Sequence, residues 1–174
     1  SFPLKSALFA CVAFVCLAGP AAAQTSSGPQ PFPMPPRTEA PQDTPYPGLL
    51  KVQVDATDTD RHIFRVHETI PVAKAGPMTI LYPQWLPGNH AANGPMKNIA
   101  GIAFSTGGKP ITWMRDAVDV FAFHIDVPAG ATSIDVDFDF LSAVTGDEGR
   151  IVMTPEMLSL QWISLAMDPA GHYT

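Results

Sequence analysis

The chain has 174 residues, with 16 acidic and 10 basic side chains, a formal net charge of −6, 19 prolines and two cysteines. An acidic chain without runs of Lys and Arg argues against nucleic acid as a partner, because binding to phosphates needs clustered cations. Both cysteines, Cys11 and Cys16, lie in the first 23 residues, so the remainder has no thiol to form a disulfide, ligate zinc or act as a nucleophile.

Residues 1–23 read as a secretory signal peptide. Lys5 precedes an apolar run over residues 7–19, and Gly19-Pro20-Ala21-Ala22-Ala23 follows before Gln24, the charged, apolar, small-residue order that a signal peptidase reads. The apolar run is far shorter than the roughly 20 residues that span a bilayer, and Pro20 ends it. Cleavage after Ala23 is therefore expected. It would remove Lys5, leave a net charge of −7 and give a periplasmic or secreted product with no membrane attachment. Residues 24–47 hold eight of the prolines, with Ser, Thr and Gln between them. Such a stretch buries too little to offset its ordering entropy and is expected to be an extended linker.

Residues 48–174 form one domain whose apolar pattern has period two. In Ser133-Ile134-Asp135-Val136-Asp137-Phe138-Asp139-Phe140 the four large apolar side chains share one face and the three aspartates the other. Burying those four contributes roughly 6 to 12 kcal/mol as an upper bound. Leu50, Val52, Val54 and Ala56 alternate in the same way, as do Phe121, Phe123, Ile125 and Val127, and Leu158, Leu160 and Trp162 form a further run. Strands are also expected over residues 63–69, 78–82, 99–104 and 111–114, with turns at Asp58-Thr59-Asp60, Ala75-Gly76-Pro77, Gly107-Gly108, Pro128-Ala129-Gly130 and Thr145-Gly146-Asp147. About eight short strands, each with one polar face, predict an all-β antiparallel sandwich without a long helix. The final stretch from Asp168-Pro169 leads toward another strand with no polar tail, so the sandwich is expected to be incomplete at its C-terminal end.

His67-Glu68 invites comparison with the zinc-protease signature, but the position four residues after His67 is Pro71. His62 and His67, five apart on a strand, are expected on opposite faces, and His90 and His124 lack ligand-rich sequence neighbours. All four read as surface or hydrogen-bonded structural histidines. The aspartates 135, 137 and 139 read as a solvated face, since a calcium loop needs a turn between its ligands. No serine stands in a nucleophile elbow, and Gly107-Gly108 is a hairpin signal without a P-loop lysine. No catalytic residue and no metal ligand are expected in this chain.

The unusual local signal is Leu81-Tyr82-Pro83-Gln84-Trp85-Leu86-Pro87-Gly88-Asn89-His90. Two prolines restrict the backbone on either side of Trp85, and Pro87-Gly88 suits a type II turn with glycine at positive φ. The residues Tyr82, Pro83, Trp85, Pro87, Gly88 and His90 thus form a rigid corner with two readings. Trp85 plugs the end of the sandwich, or Trp85 and His90 present a surface to substrate or to a neighbouring domain.

Pro83-x-Trp85-x-Pro87-Gly88, followed by Gly107-Gly108-Lys109 and by Val118-Asp119-Val120-Phe121-Ala122-Phe123, resembles the N-terminal domain of the glycyl aminopeptidase family of zinc metallopeptidases. The likeness runs over roughly residues 49–165, and Asn89-His90 stands where Ser-Tyr is usual. The resemblance implies a parent enzyme that removes N-terminal residues from peptides. Its thermolysin-like catalytic domain would hold zinc through His-Glu-x-x-His, often with a PDZ domain beyond. The catalytic domain is absent from this chain, which would have no cofactor of its own. Its partners would be that domain and the peptide substrate. The alternative is a self-sufficient exported β-sandwich module that binds carbohydrate or peptide at the same corner.

Overall fold

The computed structural model describes residues 38–40, 42, 45, 46, 48–145 and 150–171. The expected signal segment, most of the proline-rich stretch and part of the turn at Thr145-Gly146-Asp147 lie outside them. The described strands are β1 (Lys51–Asp58), β2 (Ile63–Pro71), β3 (Gly76–Leu81), β4 (Ile99–Thr106), β5 (Lys109–Ile111), β6 (Trp113–Arg115), β7 (Ala122–Val127), β8 (Ser133–Leu141), β9 (Val152–Met153), β10 (Leu158–Ser159) and β11 (Asp168–Pro169). Helical structure among them is confined to short 3-10 turns at Met96–Asn98 and Trp162–Leu165. No helix among them is long and apolar enough to cross a membrane.

The strands form a five-stranded sheet in the order β1-β2-β8-β4-β5 and a four-stranded sheet in the order β11-β3-β7-β6, with β9 and β10 paired apart. The ladders are antiparallel. Period-two patterning sets the register. Phe64, Val66, Glu68 and Ile70 of β2 lie opposite Phe140, Phe138, Val136 and Ile134 of β8, and all eight are buried between the sheets. A slip of one residue would turn three aspartates inward, so the register is strongly specified. Across the gap, Phe104 on β4 meets Trp113 and Phe123 with ring centroids 6.2 and 6.3 Å apart, and Trp113 and Phe123 stand edge to face at 5.5 Å. Such pairs add about 0.5–1.5 kcal/mol beyond area burial.

Three expectations need correction. The run over 111–114 is not one strand. The chain breaks at exposed Thr112 and passes from β5 in the first sheet to β6 in the second, because Ile111 and Trp113 are both needed as inward anchors of different sheets. The Leu158, Leu160, Trp162 run pairs only at Leu158–Ser159. Its continuation coils into the second 3-10 turn, which buries Ser164 and Leu165 and leaves Trp162 outside. His62 does not face away from His67 on a strand. It sits in the β1–β2 turn at φ +57°, where its Nδ1–H donates to the Met153 carbonyl.

Among the described residues of the proline-rich stretch, Tyr46 packs against the core and donates its hydroxyl to the Pro71 carbonyl. The core also holds an acid. Glu68 is fully buried, and its Oε2 accepts the Met167 N–H at 2.8 Å, linking β2 of one sheet to the approach of β11 in the other. Its Oε1 has no hydrogen-bond partner. Burial raises the carboxyl pKa to about 8, against the weaker opposing effect of the Met167 N–H, and Asp168 adds to the rise.

Candidate functional site

The corner begins where β3 ends. Met78 and Ile80 point inward along β3, and Tyr82 keeps that phase. It is 1% exposed, donates its hydroxyl to the Ser164 carbonyl at 2.8 Å and gives its N–H to Phe121 at 2.8 Å. Burial holds the phenol above its ordinary range, outweighing the Ser164 hydrogen bond. Pro83 then breaks the strand phase, and Trp85 emerges 62% exposed. The reading in which Trp85 plugs the sandwich is therefore corrected: Tyr82 fills that role, because the inward phase ends one residue before the proline.

The loop after Tyr82 closes on itself. Gln84 donates its Nε2 to both carboxylate oxygens of Asp119 at 2.9 and 3.0 Å, and its carbonyl accepts the Gly94 N–H at 2.8 Å. Residues 86–89 make the expected turn, with Asn89 N–H bonded to the Leu86 carbonyl at 3.0 Å and Gly88 at φ +85°. Asn89 Nδ2 donates to Asn93 Oδ1 at 2.8 Å. A Cβ on Gly94 would run into the Pro83 carbonyl, so only glycine lets the two ends of the loop approach this closely. Pro83 is half-buried at the base of the corner, while Trp85, Pro87, Gly88 and His90 are exposed on it.

A second loop supports the first. Asp116 Oδ1 accepts the N–H groups of Val118 and Asp119 at 2.8 and 2.9 Å, and Asp119 Oδ1 accepts that of Phe121 at 3.0 Å. The Asp119 N–H, followed by His124, lowers the Asp116 carboxyl to about 2. Reading the sequence missed Gln84 and Asp119 as the tie between the two loops. Asp116-x-x-Asp119 was the available signal, since aspartates at that spacing cap their own turns. Val118 and Val120 are exposed on this loop and Trp85 on the one it supports. Trp162 and Ile163 are exposed on the turn that receives the Tyr82 hydroxyl.

The other histidines do not converge. Nε2–H of His124 donates to Asp116 Oδ2 at 2.8 Å while the Thr79 hydroxyl donates to its Nδ1 at 3.1 Å. Its sequence neighbours gave no hint of this, because Asp116 reaches it across the β6–β7 loop. His67 lies 2.8 Å from Asp137 and 3.8 Å from Asp135 on the outer face of the first sheet, and Glu68 points the opposite way into the core. Among the described residues no three of His, Cys, Asp and Glu come together as a metal-binding group.

None of the curated proteins matches this chain. A solved structure of an aminopeptidase N family protein from Idiomarina loihiensis is similar at 16% identity and a TM-score of 0.47. The likeness covers 55% of this chain and 16% of that one. The family described as Peptidase M61 N-terminal domain matches residues 51–174, from the first residue of β1 onward. The chain belongs to the Peptidase M61 N-terminal domain family.

Proposed function

We propose that this chain is the non-catalytic N-terminal β domain of an exported zinc metalloaminopeptidase that removes N-terminal residues from peptides. The observation that carries the reading is the corner, a rigid closed loop that seals the core with Tyr82 while holding Trp85 and His90 outside it. An aromatic held in the open by that many internal hydrogen bonds is arranged for contact with something else. The partner is the enzyme's own catalytic domain, which holds the zinc, and the corner walls the cleft that the peptide substrate enters. The N-terminal 23 residues, with Lys5, an apolar run and three alanines, serve export to the periplasm or the medium.

Two measurements test this. Incubated with zinc and glycyl or alanyl p-nitroanilide, the chain should release no nitroaniline, and chelator-sensitive turnover would overturn the non-catalytic role. In the full-length enzyme, Trp85→Ala should lower kcat/KM by about tenfold, which corresponds to about 1.4 kcal/mol of lost transition-state stabilisation. The unfolding free energy of the domain should change by less than about 0.5 kcal/mol, as expected of an exposed side chain. Unfolding by that substitution, or unchanged kinetics, would remove the corner from the interface.

A further inference from the structure

A cleft of about 410 Å³ opens between the corner loop, the first 3-10 turn and the segment from Arg150 to Ser164. Lys97 and Arg150 both line it, and no Asp or Glu among the described residues does. Neither cation makes an ion pair with a described carboxylate. Arg150 is held in place by a long hydrogen bond from its Nη1 to the Pro87 carbonyl at 3.4 Å. Gln161 adds a side-chain amide to the lining.

Ser164, another lining residue, is fully buried. Its N–H bonds to the Gln161 carbonyl at 2.9 Å and its carbonyl receives the Tyr82 hydroxyl, yet its Oγ has no partner. A buried hydroxyl left unsatisfied costs stability, and here it belongs to a residue that lines the same cleft as two cations with no ion-pair partner among the described residues. These groups match an oxyanion, which accepts the guanidinium fork, the ammonium and the hydroxyl together. The volume leaves room for a short organic body behind the anionic group.

We infer that this cleft binds a small oxyanion ligand, a carboxylate such as the C-terminal group of a short peptide or else a free phosphate, through Arg150, Lys97 and the Ser164 hydroxyl. The inference does not depend on the peptidase reading, because it uses only groups of this chain. The test is a titration of the chain, followed by the 15N-edited NMR signals of the Arg150 and Gln161 side chains. The probes are N-acetyl-Ala-Ala acid, the same peptide as its C-terminal amide, and inorganic phosphate. Saturable shifts are expected with the acid and not with the amide. Arg150→Gln and Lys97→Gln should each weaken binding by about tenfold or more. Ser164→Ala should weaken it while leaving stability unchanged or raised, since the orphan hydroxyl is removed. Phosphate competing with the acid supports a shared site, and phosphate binding alone keeps the oxyanion site and names phosphate as its source. Equal saturable responses to acid and amide, no response to any of the three probes, or binding untouched by both cation substitutions would overturn the inference.

Discussion

Replacing Glu68 with Gln should make the domain more stable at pH 9 than the wild type, with the difference shrinking toward pH 5. The Glu68 carboxyl titrates near 4.5 in the unfolded chain and at about 8 in the folded one. Between those values the folded state holds a proton that the unfolded state has lost, so wild-type stability falls as pH rises through this window. The slope approaches 1.4 kcal/mol per pH unit. Below pH 4.5 both states are protonated and above pH 8 both are ionised, so this group adds no further dependence outside the window. The full loss is on the order of 5 kcal/mol, comparable with the whole stability of many domains. Glutamine keeps an oxygen to accept the Met167 N–H and cannot ionise. Urea midpoints measured from pH 5 to pH 9 decide the matter: converging curves at low pH and diverging ones at high pH are expected, whereas parallel curves would mean that Glu68 reaches water when folded.

Gly94→Ala should be the most damaging single methyl in the corner. Its Cβ would meet the Pro83 carbonyl, a backbone atom that cannot rotate aside. Either the Gly94 N–H to Gln84 bond or the Gln84 to Asp119 tie must then open. A loss of about 3 kcal/mol is expected, the upper part of the usual cost of overpacking. Gly88→Ala offers the contrast. Its added Cβ would meet only Arg150 guanidinium atoms at 3.5 Å or beyond, so its cost is the left-handed backbone alone, roughly 1–2 kcal/mol. Chemical denaturation of both variants gives the comparison, with amide exchange at Tyr82 and Gly94 reporting whether the loop has opened. A Gly94→Ala protein within about 0.5 kcal/mol of wild type, the range of ordinary surface changes, would show that the loop ends are not in contact.

The sandwich was legible because one side of most strands meets the core and the other meets water. The alternation in 133–140 named every inward residue of β8 correctly, and Pro87-Gly88 announced its turn. What stayed hidden depended on partners far along the chain. Nothing local distinguishes Leu158, Leu160 and Trp162 from a strand, because only the Tyr82 hydroxyl reaching Ser164 and the burial of Leu165 coil the chain there. Glu68 was legible in part. The phase of Phe64, Val66 and Ile70 places it inward, although the pair His67-Glu68 draws attention as a metal motif instead. Trp85 misled for a related reason, since a large aromatic beside prolines looks like a plug until the strand phase is followed to Tyr82.

The joint at Thr112 has a mechanical consequence. One exposed residue connects β5 of the first sheet to β6 of the second, and the ring contacts among Phe104, Trp113 and Phe123 clamp the gap on the inner side of that joint. Sliding one sheet over the other would have to be taken up by that single residue and would part the ring contacts, so shear is resisted at that edge. The two sheets should therefore travel as one rigid plate, and any swing of this domain against a neighbour must come from chain outside the sandwich.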